Sequence, residues 1–186
     1  NLAQTSKVAL RGVDDPAAEI GTGTMTIAAG DKSFSIDVSE NNNSLTGIRD
    51  AINAAGKDSG ISATIVTDPS GTGGSRLVLS SSASGTGNDV SVTVSTDAGD
   101  TGDLSVLAFT PPATTDFEPV EPADPREPKV ISYARDASIA IDGITISSDT
   151  NTIDDAIEGV TITLNKAQAQ EELDAANTVS LAVGAD

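Results

Sequence analysis

Val90-Ser91-Val92-Thr93-Val94 alternates aliphatic and small polar residues without a fault, and this period of two constrains the fold more than any other feature of the chain. Alternation of this kind places one set of side chains on each face of an extended strand. It returns at Thr24-Met25-Thr26-Ile27, at Phe34, Ile36 and Val38, at Ile61, Ala63 and Ile65, at Ile139-Ala140-Ile141 and at Ile144-Thr145-Ile146, while Arg76-Leu77-Val78-Leu79 begins a further strand. Thr and Ser as the outward set describe antiparallel sheets with one wet face. Turn residues separate the runs: Ala28-Ala29-Gly30-Asp31 closes a first hairpin, Asp142-Gly143 a later one, and the stretch from Asp68 to Gly74 is rich in Gly.

One segment breaks the period. Residues 44–56 carry Leu45, Ile48, Ile52 and Ala55 at helical spacing, behind Ser44 as N-cap and ahead of Gly56 as C-cap, which predicts a short amphipathic helix. Thr152-Ile153-Asp154-Asp155-Ala156-Ile157 reads as a single helical turn stopped at Gly159, with a strand at 160–164 after it. The order hairpin, Asp-Ala-Ile helical turn, strand thus occurs twice, a weak internal repeat. A last alternating run at 178–183 could pair with 160–164, 167–176 also reads as a short helix, and residues 1–10 fit a helix end or a strand. Residues 111–128 hold six prolines among Glu, Asp and Thr with no periodicity, as in a solvated extended linker or long loop.

The fold class that follows is mainly β, α+β in detail: two small antiparallel β-rich domains, each with a short helix. The domain reading takes 1–20 as the first segment of domain one, 21–110 as an inserted αβ domain two, 111–129 as the Pro- and acid-rich linker or loop, and 130–186 as the remainder of domain one, paired with 1–20.

Composition removes much enzymology. The 186 residues carry 10 Lys and Arg against 28 Asp and Glu, a net charge of −18 with no His. A field of that sign repels phosphate, so neither nucleic acid nor an anionic membrane is an expected partner. With no Cys and no His there is no disulfide, thiolate metal site, cysteine nucleophile or histidine base. The 37% hydrophobic content is Val, Ile, Leu and Ala in ordered runs, as in a folding chain rather than an acidic tail. Three Phe, one Tyr and no Trp leave only small aliphatic cores, which suits two modest units better than one large enzyme core. No apolar run approaches the roughly 20 residues that span a bilayer. The N-terminus lacks the basic and apolar regions of a secretion signal, and both ends read as cuts through a longer protein.

Few constellations offer chemistry. Gly85-Thr86-Gly87-Asn88-Asp89-Val90 looks like one turn of a calcium-binding nonapeptide, but that architecture needs stacked copies and only one is present, so a turn before a strand is expected. Asp97, Asp100 and Asp103 could gather a hard cation through their oxygens, although the alternating acids and closing Glu of an EF-hand are missing and a solvated acidic loop fits better. Gly71-Thr72-Gly73-Gly74-Ser75-Arg76 lacks the Lys-Ser/Thr of a phosphate loop and opens no helix, which leaves a hairpin loop. The paired acids Asp14-Asp15 and Glu171-Glu172 lie in charged segments with no apolar neighbours to raise a pKa. No catalytic, cofactor-binding or metal-binding residue is assigned, and no cofactor is expected.

A series of ordered blocks carries a resemblance. They run from Ile20-Gly21-Thr22-Gly23-Thr24-Met25-Thr26-Ile27 through Gly47-Ile48-Arg49-Asp50-Ala51-Ile52-Asn53-Ala54-Ala55, Ile61-Ser62-Ala63-Thr64-Ile65-Val66 and Arg76-Leu77-Val78-Leu79-Ser80-Ser81. Asp136-Ala137-Ser138-Ile139-Ala140-Ile141-Asp142-Gly143-Ile144 follows, and Asn151-Thr152-Ile153, Ala156-Ile157 and Gly159-Val160-Thr161-Ile162-Thr163-Leu164 close the series, with Asn1-Leu2-Ala3-Gln4 ahead of them all. Together they resemble the middle of the bacterial flagellar cap protein, the filament-capping FliD family. The stretches 117–129 and 14–19 depart from that pattern.

The resemblance implies a helical leg built from the two chain ends, β-rich head domains from the middle, and a homo-oligomeric ring at the extracellular distal tip of the flagellum that helps flagellin fold and insert. This chain would be the head alone, leaving the leg at 1–10 and returning to it at 183–186. The implied partners are other cap subunits, flagellin and, before filament growth, the hook–filament junction proteins; the role is structural, not enzymatic. The alternative is an adhesin-like surface-binding module that touches a host surface, with calcium at Asp97, Asp100 and Asp103. Export in an unfolded state through a narrow channel would explain the missing Cys and the few aromatics.

Overall fold

The computed structural model of the chain describes residues 1–99 and 102–167. Among the described residues the alternating segments form strands: β1 (Thr5–Ala9), β2 (Gly23–Ala29), β3 (Lys32–Val38), β4 (Ile61–Thr67), β5 (Ser75–Ser84), β6 (Val90–Thr96), β7 (Lys129–Ser132), β8 (Ala137–Ile141), β9 (Ile144–Ser148), β10 (Thr152–Ile157) and β11 (Val160–Thr163). One α-helix, α1 (Leu45–Ala55), interrupts them. Among the described residues the strands make a four-stranded sheet in the order β4-β5-β1-β7, a three-stranded sheet β3-β2-β6, and two hairpins, β8-β9 and β10-β11. Every pairing is antiparallel.

The register follows from the period. In β2, Met25, Ile27 and Ala29 are buried while Thr24, Thr26 and Ala28 are half-exposed, and Met25 faces Ile36 on one side and Val94 on the other. Leu77 and Leu79 of β5 and Val8 of β1 point inward from the larger sheet. Between these layers α1 buries Leu45, Ile48 and Ile52, all with no exposed surface, against β3 and β4. A 3-10 turn at Leu104–Leu107 closes the core with two more fully buried leucines. The resulting cluster is almost wholly aliphatic and runs along the chain from Val8 to Tyr133.

Ser44 caps α1 through its Oγ, which accepts from the Gly47 amide at 3.3 Å. Gly56 does not end the helix in the left-handed region: its φ is −79°, a 3-10 turn continues over Gly56–Ser59, and Gly60 supplies the left-handed stop at φ 68°. The reversal sits four residues later than the spacing predicts.

One open reading is decided and one expectation changes. Of the two readings of residues 1–10 the strand holds over Thr5–Ala9, and β1 lies inside the larger sheet between β5 and β7. Its Ser6 is fully buried, and the hydroxyl accepts from Val90 N at 3.0 Å, joining the start of β6 to β1. The second unit has no helix among the described residues, since 152–157 is strand β10, paired with β11 through Thr152↔Thr163 and Ile153↔Ile162. Two β-branched residues open that segment and favour the extended form. The residue that would cap a helix there, Asn151, is engaged elsewhere: its Oδ1 accepts from Ala3 N at 2.7 Å and its Nδ2 donates to Ala3 O at 3.1 Å. The strand expected at 178–183, and all but the first residue of the alternative helix at 167–176, lie outside the described residues.

The same device occurs in the first unit. Asn53, on α1, accepts from Ala63 N at 2.8 Å and donates to Ala63 O at 2.9 Å, so its amide stands in for a neighbouring strand at β4. Asn151 does so for the chain ahead of β1. The N-terminal residues also meet the later half directly, with Gln4 bridged to Arg135 and Asn1 exchanging bonds with Ser138.

Candidate interaction surface

The outward face of the larger sheet carries Lys7, Ala9, Val66, Arg76, Val78, Lys129 and Ile131. Residues 111–128 stay largely exposed and form a long loop, whose 117–127 stretch lies across this face as a strap. Lys129 Nζ reaches Glu121 at 2.7 Å, Arg11 reaches Glu127 at 2.7 Å, and Arg126 pairs with Asp14. Backbone bonds add to these: Gly12 N donates to Arg126 O at 2.9 Å, and the nearly buried Arg76 donates from Nη1 to Glu127 O at 3.0 Å. Two acids of the segment, Glu121 and Glu127, are thus paired with Lys129 and Arg11. Gly12 is a glycine for space, because a Cβ there would fall 2.1 Å from the Gly73 carbonyl oxygen.

Strap and sheet enclose a groove of 380 Å³, with Val66, Ile131, Pro122 and Pro125 among its walls and Lys7, Asp68, Glu121 and Lys129 at its polar positions. A second depression of 230 Å³ adjoins it at Ile131, lined by Gln4, Phe117, Glu118, Pro119, Ser132 and Arg135. Phe117 holds a φ of 56° and stands edge-on to Tyr133, the ring centroids 6.5 Å apart. Burial, with smaller contributions from Asp89 and Asp116, pushes the Tyr133 hydroxyl pKa up. Arg135 Nε is buried with no hydrogen-bond partner, a costly state for a cationic group.

The residues singled out in the sequence are occupied structurally. The 85–90 turn stitches the two halves together: Thr86 N donates to Asp136 Oδ1 at 2.7 Å, and Asp89 Oδ1 accepts from Ala134 N at 2.8 Å. Asp103 accepts from the Ser105 hydroxyl, Asp97 bonds through its backbone amide to Thr22 O, and Asp100 lies outside the described residues. Among the described residues no three acids gather as a metal site. In the 71–76 loop the amide that an anion would need is taken, since Gly73 N donates to Asp68 Oδ2 at 2.8 Å and Ser70 N to Asp68 Oδ1 at 2.9 Å. Those bonds hold the Asp68 carboxyl below its ordinary pKa. Asp14 is held low by Arg126, whereas Asp15 accepts from Ala17 N at 2.8 Å in its own turn. Glu171 and Glu172 lie outside the described residues. Sequence reasoning missed the strap's contacts, and the pairing of 118–127 acids with basic residues at 11, 76 and 129 was the available signal.

Comparison with known proteins follows the same geography. Residues 24–83 match the model of the flagellin hook IN motif, and residues 134–182 match that of the flagellar hook-associated protein 2 C-terminus. The chain is 39% identical over 163 residues to the B-type flagellar hook-associated protein 2 of Pseudomonas aeruginosa PAO1, covering 86% of this chain and 33% of that protein. The A-type protein of P. aeruginosa is 36% identical, over 88% of this chain and 34% of its own length. The chain thus spans about a third of the length of these curated relatives. A crystal structure of FliD (HAP2) from P. aeruginosa PAO1 superposes with a TM-score of 0.72 at 36% identity, over 98% of this chain and 90% of that one. The D1-D2-D3 domains of the flagellar cap protein FliD from Escherichia coli give 0.69 at 30% identity, over 91% and 46%.

Proposed function

The chain belongs to the FliD family, the flagellar hook-associated protein 2 family, and from that premise we propose that it is the head region of a flagellar filament cap. The observation that carries this reading is the near-complete, 36% identical superposition on a FliD crystal structure. The head works by shape: two β layers on an aliphatic core present a strapped sheet face and two hairpins, with no catalytic step. The cap forms a homo-oligomeric ring at the extracellular filament tip. Its partners are other cap subunits, flagellin during insertion, and the hook–filament junction proteins before growth begins.

The proposed division into 1–20 with 130–186, an inserted 21–110 and the 111–129 strap draws support from the β1-β7 pairing, whereas the β1-β5 pairing joins 1–20 and 21–110 in one sheet. The relatives' names give nothing to the adhesin-like reading, and among the described residues no three acids gather as a metal site. The test is a chimera in which this chain replaces the matching segment of the P. aeruginosa protein. Filaments should grow on cells carrying the chimera and be missing or stunted on cells with the segment deleted. Equal failure of both would reject the reading.

A further inference from the structure

Among the described residues four large aliphatic side chains are exposed: Val66 at 53%, Val120 at 79%, Ile131 at 40% and Ile144 at 68%. Two of them, Val66 and Ile131, line the groove, whereas Val120 stands in the strap beside Glu121 and lines neither depression. The fourth is remote in character. It sits at the β8-β9 turn, beside Asp142 and Gly143, where nothing lies within 4 Å of the open side of Gly143.

The charge around Val66 and Ile131 is unlike that of the rest of the chain. The two depressions that meet at Ile131 are lined by four basic residues, Lys7, Arg76, Lys129 and Arg135, against three acids, Asp68, Glu118 and Glu121. The whole chain carries −18. A second acidic copy therefore meets less repulsion here than the net charge of the chain would give. Within this trough, Arg135 makes no ion pair among the described residues. The trough asks for a carboxylate beside an aliphatic side chain, and the hairpin tip offers both in Asp142 and Ile144.

We propose that the 142–144 hairpin tip of one copy docks in the trough of the next, Ile144 against Ile131 and Val66, and the Asp142 carboxylate on the Arg135 guanidinium. Tip and trough are different patches, so the contact is heterologous, the type that repeats head to tail and closes a ring when the rotation allows. The ring rests on the cap reading, whereas the contact itself does not.

The chain has no Cys, so a mixed pair of single-cysteine variants reports this contact cleanly. Ile131→Cys and Ile144→Cys chains carrying different tags, mixed at high concentration and mildly oxidised, should form a mixed disulfide well above an Ile144→Cys and Ser33→Cys control. Adding Arg135→Gln to the trough chain should lower the yield about tenfold or more, as when one partner of a desolvated charge pair is neutralised. Arg135→Asp in the trough chain with Asp142→Arg in the tip chain should restore it. Circular dichroism matching the parent shows that each variant folds. A yield no higher than the control, or one indifferent to Arg135, overturns the contact even if the chimera grows filaments. Adduct formation alongside a failed chimera would leave the contact standing and remove the ring.

Discussion

Single residues set how this fold answers acid and deletion. The Asp14 carboxyl is held below its ordinary 3.8 by the Arg126 guanidinium, first through the hydrogen bond and then through its charge. Asp68 is held low by the Gly73 amide and the Ser70 hydroxyl, and Asp116 by the Thr114 hydroxyl. A native pKa below the unfolded one gives stability that is complete above the ordinary value and is lost as pH falls through the native one. Urea midpoints should therefore fall as pH drops below about 4, and the Asp68→Asn variant should fall less steeply than the parent chain. An unchanged slope would show that the loop does not hold Asp68 in solution. The two asparagine clamps give a sharper test. Asn53→Ala and Asn151→Ala each leave a part-buried N–H and C=O unmatched, at about 1–3 kcal/mol in urea unfolding. Amide exchange should rise at Ala63 in the first variant and at Ala3 in the second.

At the level of elements, the strands and α1 were legible because a period of two and a period of 3.6 are written into single residues such as Val90, Val92 and Val94, or Ile48 and Ile52. Thr152–Ile157 was not, because Asp-Ala-Ile fits a helical turn as well as a strand and the choice rests on Asn151 bonding Ala3, 148 residues away. Pairing with β11 and burial of Ile153 decide for the strand. Ile153→Ala should cost about 2–4 kcal/mol by cavity formation, whereas Ile153→Val should cost about 1 kcal/mol. The reverse order would return the segment to a helical turn, where valine is the poorer residue. The strap was hidden for a different reason. Proline sets an extended backbone but carries no information about what that backbone lies against, and Glu121 and Glu127 find Lys129 and Arg11 only once the sheet has formed. The interaction surface was legible only as separate residues, since Ile131 and Arg135 become neighbours of Gln4 and Phe117 through the strap and the β1-β7 pairing.

For the whole molecule, the charge of −18 and the small aliphatic core act together. Self-repulsion works against the compact state, and the exposed ion pairs of the strap offset little of it. Raising NaCl from about 10 mM to about 1 M shortens the screening length from about 30 Å to about 3 Å. The melting temperature should rise over that range, and a fall would mean that the strap's ion pairs outweigh the repulsion. The same balance suits a scaffold that presents an apolar, nearly neutral trough on an acidic body, so that copies meet there and stay apart elsewhere. The central functional claim is that the body belongs at a filament tip. Electron microscopy of flagella labelled with gold-conjugated antibody raised against this chain tests it most directly. Label should sit at the distal ends of filaments, and label spread along their length, or absent from the ends, would contradict it.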